Sequence, residues 1–161
     1  MASASLFAST WEKVRGLGFW VAVNFFITLS VFPAVTADVQ SYSFRRQPAM
    51  WVGLYCFLLF NVGDWGGRLL AGWARIADGY ALRLLIACRV GFLPLFMLCN
   101  HNHDPTTKTL LPVVFKHDGF PGAFMLLVAL SNGYAGTIFM RTAPSLVAEA
   151  AGRQAGTIMA A

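Results

Sequence analysis

Between Gly16 and Ala37 the chain reads GLGFWVAVNFFITLSVFPAVTA without one charged residue, and comparable apolar blocks recur along its length. An α-helix needs roughly 20 apolar residues to cross a hydrocarbon core of about 30 Å, and the blocks have that length. In lipid every backbone donor and acceptor must be satisfied within the protein, which leaves helices or a closed barrel. Barrel strands read as alternating segments of about ten residues, a pattern these blocks lack. Only 12% of the 161 residues are charged, where a soluble domain has about 25%. The reading is an all-α membrane protein that crosses the bilayer several times.

Helices are expected at about 16–37, 49–75, 80–99, 121–141 and 145–161, four that span and a truncated fifth. Pro33 should kink the first, because proline lacks an N–H and its ring clashes with the preceding turn. Asp78-Gly79 marks a turn after the second block, and Pro121 sits at a favourable helix start. Residues 100–120 are polar, hold all three histidines and read as a loop outside the membrane. The last block meets Glu149 and Arg153 and then has only AGTIMAA, too short an apolar tail to span.

Lys13, Arg15, Arg75, Arg83, Arg141 and Arg153 fall on one side of this layout, against Arg45, Arg46, Lys108 and Lys116 on the other. That imbalance favours a cytosolic start for the first helix, with the histidine-bearing loop outside. The net charge of +5 is scattered over block ends without a run of like charge, so it reads as orientation and not as a nucleic-acid footprint. The N-terminal residues lack the order of a cleaved secretory signal, and the first helix itself should direct insertion. Cys56, Cys88 and Cys99 are odd in number and lie in or beside apolar blocks, which argues against a disulfide framework.

Asp64 and Arg68 interrupt the second block. A charged side chain near the bilayer centre costs roughly 2.5 to 3.5 kcal/mol even on a lenient insertion scale, so each must face the other, a cavity or a solute. At 100 degrees per residue, Phe57, Asn61, Asp64 and Arg68 share one helix face. The face offers an aromatic plate, an amide, an acceptor and a five-donor fork, a set suited to a neutral solute with a flat ring and hydroxyl groups. The alternative is an internal ion pair that only fixes helix packing. Gly63, Gly67 and Ala71 repeat every four residues on a neighbouring face, the spacing that lets two helices approach closely.

Other polar groups lie at membrane depth. Asn24, Thr28 and Ser30 precede Phe32-Pro33, and such kinked helices often border a cavity in transporters. Arg89 is either a second pathway residue or the partner of a carboxylate on a neighbouring helix. In Ser131-Asn132-Gly133-Tyr134 the asparagine needs a partner in lipid, from a cavity or from another helix. His101-x-His103-Asp104 has ligand types but no further ligands at metal-site spacing. With no P-loop, GxSxG, HExxH or CxxC signature, the chain carries no sign of enzymatic chemistry.

Taken together, Leu29-Ser30-Val31-Phe32-Pro33-Ala34-Val35, the stretch Phe57 to Leu69, Arg89-x-x-Phe92-Leu93-Pro94-Leu95-Phe96-Met97-Leu98-Cys99, Leu130-Ser131-Asn132-Gly133-Tyr134 and Ala155-Gly156-Thr157-Ile158-Met159 resemble the equilibrative nucleoside transporter family. The resemblance implies a bundle similar to major facilitator transporters, with eleven helices arranged as six plus five and a substrate site between the halves. The blocks here then match helices seven to ten and the start of eleven, and a six-helix N-terminal half is missing. It implies that Asp64 and Arg68 engage the ribose hydroxyls of a nucleoside, with Phe57, Asn61 and Phe32 near the same cavity, and it leaves the choice between nucleosides and nucleobases open. Gly63 and Gly66 stand where bulkier residues are usual, which would widen the site. Transport by alternating access needs no cofactor, the expected partners are the substrate, the lipid bilayer and the absent half, and the expected location is the plasma membrane or an endomembrane. The alternative is a non-transporting membrane protein whose helices only pack or bind a partner.

Overall fold

Backbone groups that cannot reach water pair within the chain, and the computed structural model describes residues 2–74, 79–101 and 111–146 as helices joined by turns. Helix α1 (Ala2–Val31) is followed by a short 3-10 turn, Thr36–Asp38. Helix α2 (Pro48–Trp51) continues through a π-helical stretch, Val52–Leu58, directly into α3 (Leu59–Trp73). Helix α4 (Gly79–Cys88) gives way to a 3-10 turn, Arg89–Gly91, before α5 (Phe92–Met97). Helix α6 (Gly119–Thr142) ends in a further 3-10 turn, Pro144–Leu146. The rest of the block at 145–161 lies outside the described residues.

The prolines account for the breaks. Pro33 closes α1 at Val31 instead of kinking a helix that runs on to Ala37, and the first helix starts well before Gly16. Pro94 has no N–H for the carbonyl four residues back, that of Val90, and the tighter turn at Arg89–Gly91 sits at that place. Pro48 occupies the first position of α2, where a missing N–H is harmless.

Among the described residues three helical stretches are long and apolar enough to cross a bilayer: Ser9–Asp38, Gly79–Met97 and Gly119–Leu146. Of the four expected spans, the run from α2 to α3 stands outside this set. At 1.5 Å per residue it is long enough, about 39 Å, but Asn61, Asp64 and Arg68 dilute its apolar character.

Helix α6 is the centre of the bundle. In its most apolar stretch 56% of residues are buried inside the protein, against 22% for each of the other two spans. Two apolar clusters lie end to end. One gathers Val14, Val21, Ala71, Ile86 and Phe139, and the other Val31, Tyr55, Phe96, Met125 and Val128. The order of residues in the two clusters sets α1 and α4–α5 running one way, with α3 and α6 running the other.

At one end of the bundle the loops are latched together by Asp118. Ser41 Oγ donates to its Oδ2 at 2.7 Å, the Tyr42 N–H to Oδ1 at 2.8 Å and the Ser43 N–H to Oδ2 at 3.0 Å. Partial burial pushes the carboxyl up, but these hydrogen bonds outweigh it and hold Asp118 below the ordinary carboxylate range. The latch is therefore fully formed above the unfolded value of about 3.9 and is lost as pH falls through the lower folded value. Asp118→Ala is expected to speed hydrogen exchange at the Tyr42 and Ser43 amides about tenfold at neutral pH, the scale of one hydrogen bond to a charged group. Acidification should do the same to the unmodified chain but not to the variant.

Candidate functional site

The helical stripe through the second block has the predicted pair at its centre. Arg68 Nε donates to Asp64 Oδ2 at 2.7 Å, an i, i+4 ion pair in which the carboxylate side chain is 15% exposed and the guanidinium 51%. Asp64 is thus set into the bundle while most of Arg68 points away from it. Among the described residues Arg68 has no hydrogen-bond partner other than Asp64, so its remaining donors are free to engage a solute.

Asp64 is held from behind by α6. Asn132 Nδ2 donates to Asp64 Oδ1 at 2.7 Å, and Asn132 Oδ1 accepts from Asn24 Nδ2 at 3.0 Å and from Thr28 Oγ1 at 2.7 Å, both on α1. Arg89 closes the cluster, donating from Nη1 to Asn24 Oδ1 and from Nη2 to Thr28 Oγ1 at 2.7 Å. These polar groups sit where the two apolar clusters meet, inside the bundle and away from both ends.

The close approach of α3 to α6 depends on missing side chains. A Cβ on Gly63 would stand 2.7 Å from the Ala129 Cβ, one on Gly67 would reach 2.9 Å from the Tyr134 nitrogen, and one on Gly133 would reach 3.1 Å from the Arg68 nitrogen. The carbonyls of Leu130 and Asp64 would be nearer still to the latter two. The small-residue spacing of Gly63, Gly67 and Ala71 is a helix seam, with Gly133 completing it from the other side. Gly63 therefore does not widen the solute face: it turns toward α6, and Gly66 lies against Leu130.

Aromatic rings line the stripe toward its loop end. Phe32, just past the end of α1, stacks on Phe60 with ring centroids 3.9 Å apart and meets Phe57 edge-on at 5.7 Å. Phe57 itself lies in the π-helical stretch and is 45% exposed. From Phe57 to Arg68 the stripe spans about 16 Å of helix axis, enough for a ring and a sugar laid along it.

The nucleoside transporter family model matches residues 1–161. The chain belongs to that family. Equilibrative nucleoside transporter 2 of Mus musculus is 43% identical over 143 residues, covering 84% of this chain and 30% of the relative. Equilibrative nucleoside transporter 1 of Rattus norvegicus is 41% identical over 159 residues, covering 92% and 33%. Equilibrative nucleoside transporter 2 of Homo sapiens is 38% identical over 157 residues, covering 94% and 33%. The chain spans about a third of the length of these curated relatives. Family membership groups it with proteins named as nucleoside transporters.

Within this family member the predicted site residues fall into two pairs and one outlier. Asp64 with Arg68 and Phe32 with Phe57 are in contact. Asn61 shares their face, but its Nδ2 donates to the Phe57 carbonyl of its own helix at 2.8 Å. Asn132 is buried and pairs with Asn24 and Thr28 of α1 and Asp64 of α3. Arg89 meets amides and a hydroxyl first and reaches a carboxylate only through them. Phe60 was outside the expected set because it lies off the 57, 61, 64, 68 stripe, and only the turn of chain after α1 brings Phe32 against it. His101 Nε2 lies 2.8 Å from the Phe96 carbonyl, and His103 and Asp104 lie outside the described residues.

Proposed function

We propose that this chain is one wall of a facilitative nucleoside transporter, complete when a second helical half stands opposite the α3 stripe. The observation that carries the reading is the asymmetry of the Asp64–Arg68 pair. A purely structural pair at membrane depth would bury both partners and satisfy both. Here Asp64 is anchored through Asn132, while the fork of Arg68 is half exposed and, among the described residues, engaged only by Asp64.

In this reading the run from α2 to α3 is a fourth span, and its exposed polar face meets the substrate cavity instead of lipid. A ribose offers neighbouring hydroxyls, each both donor and acceptor. One donates to the carboxylate of Asp64 and another accepts from the guanidinium of Arg68, so the diol bridges the pair. The exposed face of Phe57 gives the base an aromatic surface, and Phe32 and Phe60 brace that ring from behind. Rocking of the two halves about the midplane site then exposes it to each side in turn. A nucleobase lacks the diol and engages only the aromatic part and one member of the pair, so nucleosides are the preferred substrates.

The test is uptake of labelled uridine into vesicles that hold this chain together with the N-terminal half of a relative. Saturable uptake is expected from the assembled pair, with unlabelled adenosine competing and unlabelled hypoxanthine competing weakly. An assembled pair that inserts and yet moves no uridine overturns the reading.

A further inference from the structure

The hydrogen bonds behind Asp64 run in one direction. A guanidinium can only donate, so Asn24 must turn Oδ1 toward Arg89 Nη1 and its Nδ2 away. That Nδ2 donates at 3.0 Å to Asn132 Oδ1, and Asn132 Nδ2 donates at 2.7 Å to Asp64 Oδ1. A carboxylate can only accept, so the far end independently demands the same orientation of both amides. The two charged ends thus fix which way each asparagine faces. Thr28 accepts from Arg89 Nη2 at 2.7 Å, and its single proton is shared between Asn132 Oδ1 at 2.7 Å and the Asn24 carbonyl of its own helix at 2.9 Å, so the continuous donor path is the one through Asn24.

Arg89 is 1% exposed, and its Nε has no partner among the described residues. A buried guanidinium satisfied by amide dipoles still requires compensating negative charge. The donor path leads from it to Asp64 and to no other acidic group. Bonds aligned head to tail polarise one another, so the charge of Arg89 makes Asn132 Nδ2 a stronger donor at the other end. Among the described residues, the charged groups facing Asp64 are Arg68 on its own helix and, through α6 and α1, Arg89.

We infer that Arg89 is a positioning residue for the solute site: through Asn24 and Asn132 it holds Asp64 in place with Oδ1 occupied, leaving Oδ2 and the Arg68 fork to the substrate. The inference rests on the transport reading for what the site binds, but not for the state of Asp64. Arg89 touches no substrate in this role. It sets the orientation of the group that does.

Dicyclohexylcarbodiimide, which adds to protonated carboxyl groups in apolar surroundings, reads the state of Asp64 without any transport step. With the full chain in lipid vesicles and labelling mapped by peptide mass spectrometry, Asp64 should label slowly. Arg89→Gln should raise the rate about tenfold, the scale of one charge-assisted hydrogen bond, and Arg89→Lys should restore slow labelling. Because Arg89→Gln also removes a buried charge, Asn24→Asp is the deciding variant. It gives Arg89 a direct ionic partner but removes the donor to Asn132, so packing survives while the path to Asp64 is cut.

Asn24→Asp is expected to unfold no earlier than the unmodified chain, to label at Asp64 as fast as Arg89→Gln and, in the assembled carrier, to raise the KM for uridine about tenfold. Slow labelling and an unmoved KM in folded Asn24→Asp would overturn the inference and leave Arg89 a packing residue. Fast labelling in a pair that moves no uridine even before substitution would uphold the positioning of Asp64 and overturn the transport reading.

Discussion

Arg68→Ala is expected to lower uridine uptake by the assembled carrier about a hundredfold while the bundle stays folded. Hydrogen bonds to charged groups contribute about 1.5–3 kcal/mol each, and losing one strong or two weaker ones reaches about 2.7 kcal/mol, the equivalent of that factor. Folding should survive because the side chain is half exposed and its one hydrogen-bond partner among the described residues is Asp64, whose other oxygen remains tied to Asn132. Arg68→Lys keeps the charge but loses the planar fork, so it should recover part of the rate and remain about tenfold below the unmodified carrier. Initial uptake rates, normalised to folded protein in the vesicle, check both. A change within twofold for Arg68→Ala removes the pair from the substrate site and favours a structural role.

Gly133→Leu is expected to do the opposite: destroy the fold and, with it, every downstream measurement. Its added Cβ would fall against the backbone of Asp64 and within 3.1 Å of the Arg68 nitrogen. Backbone cannot rotate aside as a side chain can, so α3 and α6 must separate. Overpacking typically costs about 1–3 kcal/mol where side chains can adjust, and here the loss should be at or above the top of that range. Unfolding in mixed micelles of rising denaturing-detergent content measures it directly. Gly122→Leu on the same helix is the control, because a Cβ there meets nothing within 4 Å. Equal stability of the two variants would mean that the seam does not hold the bundle together.

The helical class was legible because lipid permits so few solutions, and among the described residues three helices are long and apolar enough to cross a bilayer. Helix ends were less legible. The Ala2–Val31 helix carries Glu12, Lys13 and Arg15 within its first half, and hydrophobicity alone places a boundary there. The π-helical stretch at Val52–Leu58 left no trace in a 3.6-residue pattern, since it arises from how the run packs and not from any single residue.

The site was legible in its chemistry and not in its depth. An acid and a guanidinium four residues apart announce themselves in an apolar run, and the helix period puts them on one face. What backs them comes from residues 24, 28, 89 and 132, whose meeting requires the tertiary fold. Asn132 and Arg89 were conspicuous as polar groups in lipid, yet their partners were out of reach of a linear reading. Gly63 carries two readings in the sequence, a close helix seam from its spacing with Gly67 and Ala71 and a wider cavity from its place beside Asp64, and the fold bears out the seam.

The glycine seam also bears on protein engineering. With Gly63 and Gly67 against Ala129 and Leu130, and Gly133 against the carbonyl of Asp64, α3 and α6 share one surface without slack. A designer who wishes to transplant this wall into another scaffold cannot move α3 alone. The graft must be the two-helix unit, with α6 chosen first, because it dictates where the carboxylate will stand.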